Sequence, residues 1–212
     1  MQDDLFDDSV TDEQLAIQAQ AGSAAAFEQL VRRLQVPLVH FLLRRTRCLA
    51  DAEDLAQDAF VRAHRSLASY SSQWRFRTWL FTIAHRLAIN SSRRRRQEQP
   101  AAALDEIGAP AADVCDLVAA DEARRSLWNT ASAMLAADEV SALWLHYVEE
   151  LSTAEIGRVL GRSRMAVKTM LFRARKRLEP HLRAFIDSDV TEESSLKAQP
   201  EAGGARFKVA NA

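Results

Sequence analysis

The sequence has few of the residues that break helices, staple loops or span membranes. Of 212 residues only 6 are glycine and 5 are proline. β-Branched residues are sparse, and alanine, leucine and arginine dominate, all of them helix formers. With 48% hydrophobic residues, the chain can bury a core, which excludes disorder throughout. The two cysteines, Cys48 and Cys115, show no CxxC or His–Cys spacing. Neither a disulfide scaffold nor a zinc site is expected; two buried or idle thiols in a reducing cytosol are. The most apolar run, Val140 to Val148, is far too short to cross a bilayer and contains His146. The first residues, MQDDLFDDSVTDE, are acidic without an apolar stretch, so no signal peptide is expected. No motif for phosphoryl transfer, metal hydrolysis or nucleophilic attack is present. The expectation is a non-enzyme without cofactor or metal.

What the chain does have is an uneven charge. The 28 Lys+Arg and 29 Asp+Glu sum to −1, but they segregate. Residues 1–58 carry −6, 59–97 carry +9 with no acid at all, 98–157 carry −10, 158–183 carry +8 and 184–212 carry −2. Two basic blocks in acidic surroundings are compatible with a polyanionic partner despite the neutral total.

The fold expected is all-α: two small helical domains joined by a flexible linker, the second a helix-turn-helix. The domains span 12–96 and 121–186. Residues 97–120, with Pro100, Pro110 and many alanines and acids, read as the linker, although Leu104, Ile107, Val114 and Leu117 could dock on something. Residues 187–212 read as a disordered tail. In the first domain Thr11 opens a helix, Ser23 a second, and Pro37 a third stretch. Ala52, Leu55, Ala56, Ala59 and Ala63 then share one face, with Asp51, Asp54 and Asp58 opposite. On geometry alone this acidic stripe is a solvated helix face.

The segment Trp74–Arg96 is less ordinary. Phe76, Leu80, Ile83 and Leu87 take a buried face. Trp79, Thr82, Arg86, Asn90 and Arg93 line another, with His85 alongside. An aromatic, arginines and an asparagine without one acid suit phosphate contacts and base stacking, although Trp74, Phe76 and Trp79 could equally pack into a core.

The second domain carries the sharper pattern. Asp138 opens a helix with Val140, Leu143, Trp144 and Tyr147 inward. Ser152 and Glu155 form a capping box for a short helix. Gly161 supplies a turn, Ser163 caps again, and a long helix runs through Val167, Leu171, Ala174 and Leu178 to Pro180. Short helix, glycine turn, longer basic helix is a helix-turn-helix. Its second helix would enter a major groove, with Arg and Lys reaching guanine edges and later arginines on phosphates. The lone histidines His40, His64, His146 and His181 are placed on surfaces or core edges.

In this order the blocks resemble the extracytoplasmic-function (ECF) group of sigma factors within the sigma-70 family, over most of residues 23–183. DAEDLAQDAFVRAHRSL is similar to the region-two core-binding helix, and YSSQWRFRTWLFTIAHRLAINSSRRRR to the minus-ten melting and reading segment. VEELSTAEIGRVLGRSRMAVKTMLFRARKRL is similar to region four, which reads the minus-thirty-five element. The resemblance implies that Asp51, Glu53, Asp54, Gln57 and Asp58 bind core RNA polymerase. It implies that the loop from Leu67 to Arg75 captures a flipped base, and that Trp74, Arg75, Arg77, Trp79, His85, Arg86, Asn90 and Arg93 contact minus-ten DNA. Arg162, Ser163, Arg164, Lys168, Thr169, Arg173 and Lys176 would contact minus-thirty-five DNA. Core polymerase, promoter DNA and an anti-sigma protein are the implied partners, in the cytoplasm and without membrane insertion. Arg86 and Asn90 stand where the family often has Asn and Asp, and Met165 and Phe172 where it often has Gly and His, so the promoter sequence does not carry over. A rival reading, a dimeric helix-turn-helix regulator acting without polymerase, explains the second domain but leaves residues 74–96 without a role.

Overall fold

A computed structural model describes residues 10–98 and 122–196. These form eight α-helices: α1 Asp12–Gln20, α2 Ala24–Thr46, α3 Leu49–Arg65, α4 Phe76–Glu98, α5 Glu122–Met134, α6 Ala137–Tyr147, α7 Thr153–Leu160 and α8 Arg164–Leu196. A 3-10 turn, Leu67–Ser69, leads from α3 toward α4. The expected linker, apart from its first two residues, and residues 197–212 lie outside the described residues.

The first lobe packs α1–α4. Leu30, Leu34, Leu38, Phe41 and Leu42 of α2 meet Phe76, Leu80 and Phe81 of α4 in a fully buried centre. Each such side chain contributes about 1.5–3 kcal/mol on burial. The alanine face of α3 (Ala52, Ala56, Ala59, Ala63) is buried against them, and its small side chains turn the acidic stripe outward. In the second lobe Val140, Leu143 and Trp144 of α6, Ile156 and Val159 of α7, and Val167, Leu171, Ala174 and Leu178 of α8 form the core. Trp128 of α5 packs on Trp144, ring centroids 5.1 Å apart.

Three expectations need correction. Pro37 does not start a new helix; it lies inside α2, which runs unbroken to Thr46. A proline forfeits one backbone bond, and buried Leu34, Leu38 and Val39 on either side hold the helix through it. Pro180, the expected helix end, likewise lies inside α8, which continues to Leu196, past the expected domain boundary at 186. Tyr147, expected to point inward from α6, is exposed instead. Cys48 is a free, exposed thiol, and Cys115 lies outside the described residues.

The two lobes pack against each other. Arg45 of α2 pairs with Asp138 of α6 at 2.9 Å, and the Arg44 guanidinium lies 4.8 Å from the centre of the Trp144 ring. α4 lies along α7. Arg47 Nη2 also donates to Ser132 O at 2.9 Å.

Candidate functional site

The helix-turn-helix forms as the caps require. Ser152 Oγ accepts from Glu155 N at 3.3 Å and Glu155 Oε2 accepts from Ser152 N at 2.9 Å. Gly161 closes α7 in the left-handed region at φ 64°, and Ser163 Oγ accepts from Ala166 N at 3.2 Å. One requirement was not read from the sequence: a Cβ on Gly157 would lie 2.6 Å from Arg162 O, so the turn folds onto α7 only because this residue has no side chain. Arg164, Lys168, Thr169, Arg173 and Lys176 project outward from α8, while Val167, Leu171 and Ala174 face the core. Ser163 is exposed but commits its hydroxyl to the cap.

In the first lobe, the segment from Leu67 to Arg75 is stiffened from within. Tyr70 is buried, and its hydroxyl donates to Trp74 O at 2.8 Å. Burial first, then the charges of Glu13 and Asp12, push its pKa up to about 12, so it stays a donor at any physiological pH. Trp79 is half-buried, its ring tilted against Tyr70 and Phe76 with centroids 5.4 Å and 5.6 Å away. It is more a floor than an open contact. Between α3 and α4 a pocket of about 360 Å³ is lined by Arg62, Arg65, Ser66, Ile83, Arg86, Leu87 and Asn90. Three guanidinium groups and an amide surround an apolar strip, with no acid in the lining. Arg86 and Asn90 were expected here; Arg62 and Arg65 were missed. They belong to the last turn of α3, one and two turns past Asp58 of its acidic face.

Several expected DNA residues are instead engaged between the lobes. Arg77 Nη1 lies 2.6 Å from Glu149 Oε2, and Arg75 Nε lies 3.6 Å from Glu155 Oε1. Thr78 Oγ1 donates to Glu155 at 3.2 Å. Arg158 of α7 stacks over the Trp74 ring, 3.1 Å from its centre. Within the second lobe, Arg162 pairs at 3.2 Å with Asp138, the carboxylate that also holds Arg45 of the first lobe. His85 does not join the exposed group at all: it is 2% exposed, and neither ring nitrogen has a hydrogen-bond partner. Burial, then Arg45, lowers its pKa to about 4, so it is held neutral. Arg86, Asn90 and Arg93 remain exposed.

The carboxylates in this seam split by surroundings. Burial pushes Glu149 up, against the pull of Arg77. For Asp138 burial also pushes upward, but hydrogen bonds from Arg45 and Arg162 outweigh it and the pKa falls. Elsewhere, Glu53, Asp54, Gln57 and Asp58 of α3 are exposed, and Asp51 is half-buried beside Arg95 at 2.7 Å. A second, apolar groove of about 850 Å³ lies in the second lobe between Leu127, Trp128, Leu143, Tyr147 and Phe172, with Arg175 and Lys176 among its lining. Among the described residues no His, Cys, Asp or Glu group could hold a metal ion, and no helix is long and apolar enough to cross a membrane.

Comparison with known proteins gives concordant matches. Sigma-70 region 2 matches residues 30–98, and sigma-70 region 4 matches residues 128–178. The chain is 35% identical to RNA polymerase sigma factor YlaC of Bacillus subtilis over 165 residues, covering 74% of this chain and 92% of that protein. It is 30% identical to ECF RNA polymerase sigma factor SigW of the same organism, covering 78% and 94%. Among solved structures, CnrH in complex with the cytosolic domain of CnrY shares 28% identity at a TM-score of 0.58, over 82% of this chain and 97% of that one.

Proposed function

The chain belongs to the sigma-70 family of RNA polymerase sigma factors, within the ECF group, and from that premise we propose how its surfaces divide the work. It is a transcription initiation factor that binds core RNA polymerase and directs promoter recognition and opening. We assign it no chemistry of its own; phosphodiester synthesis belongs to the polymerase, and the factor acts where polymerase does.

Residues 12–96 form the region-two domain and 121–186 the region-four domain. The exposed acids of α3, Glu53, Asp54 and Asp58, with Gln57 and Asp51, dock on polymerase. The pocket of Arg62, Arg65, Arg86 and Asn90 takes a base or phosphate of the opened minus-ten strand, with Trp74 and Arg75 beside the entering strand. Stacking on an aromatic face offsets melting by about 1–3 kcal/mol per base. The exposed N-terminal half of α8, with Arg164, Lys168 and Thr169, enters the major groove at minus thirty-five. Arg173 and Lys176 reach phosphates. What supports this reading above all is one chain carrying both an acid-free, arginine-lined pocket and a doubly capped helix-turn-helix.

The closed seam is then a resting arrangement. Arg75, Arg77 and Trp74 meet DNA only by leaving Glu155, Glu149 and Arg158, so polymerase and DNA draw the lobes apart. CnrH is seen held by a second protein. An anti-sigma protein is the corresponding partner for this chain, and it keeps the lobes from parting. The experiment is a titration of the purified chain with core polymerase, followed by transcription from duplex genomic fragments. Saturable binding and promoter-specific transcripts support the reading. A footprint on palindromic DNA without polymerase, and no transcript with it, contradicts it.

A further inference from the structure

The first helix has no part in the assignment above, yet it grips both ends of the segment that presents Trp74 and Arg75. Gln20 ends α1 and spends both hydrogens of one amide on this segment. Its Nε2 donates to Leu67 O at 2.8 Å and to Tyr70 O at 2.9 Å. These two carbonyls bracket the 3-10 turn. At the far end, Glu13 Oε1 accepts from Phe76 N at 3.1 Å. That amide opens α4, where backbone donors lack an intrahelical acceptor and a carboxylate is favoured by the helix dipole. Between the two tethers, Tyr70 Oη holds Trp74 O, and Trp74 N donates to Ser71 O at 3.2 Å.

The grip has a firm anchor. α1 starts in a reciprocal cap, with Gln14 N donating to Thr11 Oγ1 at 3.2 Å and Thr11 N to Gln14 Oε1 at 2.9 Å. Leu15 and Ala16 are buried in the core, and Asp12 lies 3.4 Å from Arg33 of α2. A segment that had to be ordered only when DNA arrives would subtract its conformational entropy from binding; one held beforehand does not.

We propose that Gln20 is a positioning residue for promoter opening, holding residues 67–75 in the shape that receives the unpaired strand while touching no DNA itself. The inference rests on the reading of that segment as the strand-capturing element. Gln20 is exposed and lies at a helix end, so its replacement spares the core.

The test uses full-length chain in holoenzyme on a duplex promoter fragment that yields a wild-type transcript. Opening is followed by permanganate reactivity of unpaired thymines. Gln20→Met keeps the length and loses both donors; Gln20→Lys keeps donors facing the two carbonyls; Trp74→Ala probes the segment directly. Expected are opening at least about fivefold slower for Gln20→Met, with polymerase affinity within about twofold of wild type, and recovery to within about twofold in Gln20→Lys. Wild-type opening by Gln20→Met beside slow opening by Trp74→Ala overturns the positioning role alone. Equal slowing in Gln20→Met and Gln20→Lys also overturns it, because donation is then not what matters. Wild-type opening by Trp74→Ala overturns the reading of the segment itself, and this inference with it.

Discussion

Arg77 and Glu149 meet at 2.6 Å across the two lobes, and the Glu149 carboxylate, 2% exposed, also accepts from Trp144 Nε1 at 3.1 Å. A buried carboxylate with one partner from each lobe ties closure to the charge of a residue assigned to DNA. Glu149→Gln keeps an acceptor for the tryptophan and removes the ion pair. Hydrogen bonds to charged groups contribute about 1.5–3 kcal/mol, so Glu149→Gln, alone or with Asp138→Asn, should open the lobes. The expected outcome is a larger radius of gyration by solution scattering and about tenfold tighter binding of single-stranded DNA by the free chain.

His85 gives a pH signature. Its folded pKa, about 4, lies below its ordinary 6.5 because of burial and then Arg45. Between those values the unfolded chain binds more protons, so stability rises with pH across that window and is lost as pH falls from about 6.5 toward 4. Glu149, pushed the other way by burial, makes stability fall as pH rises just above its ordinary 4.5. His85→Leu isolates the histidine's share. Urea midpoints should fall between about pH 7 and about pH 5 in the wild type by more than in His85→Leu.

Gly157→Ala should damage the DNA-reading end of the second lobe. The new methyl meets backbone, Arg162 O at 2.6 Å, which cannot swing away. Overpacking of this kind costs about 1–3 kcal/mol. Duplex affinity should fall and the thermal midpoint drop, while Ala154→Gly, on the exposed side of the same helix, should cost only its helix propensity of about 1 kcal/mol.

Charge reversal separates the two partners. Asp54 and Asp58 are exposed, so Asp54→Arg with Asp58→Arg should weaken polymerase binding about tenfold or more without lowering the thermal midpoint. Arg164→Ala or Lys168→Ala should leave polymerase binding intact. Removing one phosphate-neutralising cation should reduce the salt slope of DNA binding by about one.

How far the chain could be read in advance follows from the range of the interactions. Ser152, Glu155, Gly161 and Ser163 act within one turn, so their caps and the left-handed glycine were legible. So were the alanine and acid faces of α3, set by helical period. Pro37 and Pro180 were over-read as boundaries because a proline's local penalty is visible and the packing that outweighs it is not. His85 lies beside Arg86 at the edge of the polar face, but its surroundings come from residues such as Phe41 and Asp138, distant in sequence. The pocket residues Arg62 and Arg65 join Arg86 and Asn90 only once α3 and α4 lie side by side. The pairing of Arg77 with Glu149 spans 72 positions, and no local pattern announces it.

The proposed function centres promoter opening on an exchange, in which the start of α4 would leave the second lobe for the opened promoter strand. A photo-crosslinking amino acid in place of Arg75, beside Glu155 in the closed seam, reads that exchange directly. In the free chain the crosslink should join residue 75 to α7. In the open complex with polymerase it should move to the non-template strand at minus ten. A crosslink that stays on α7 in the transcribing complex would contradict the account.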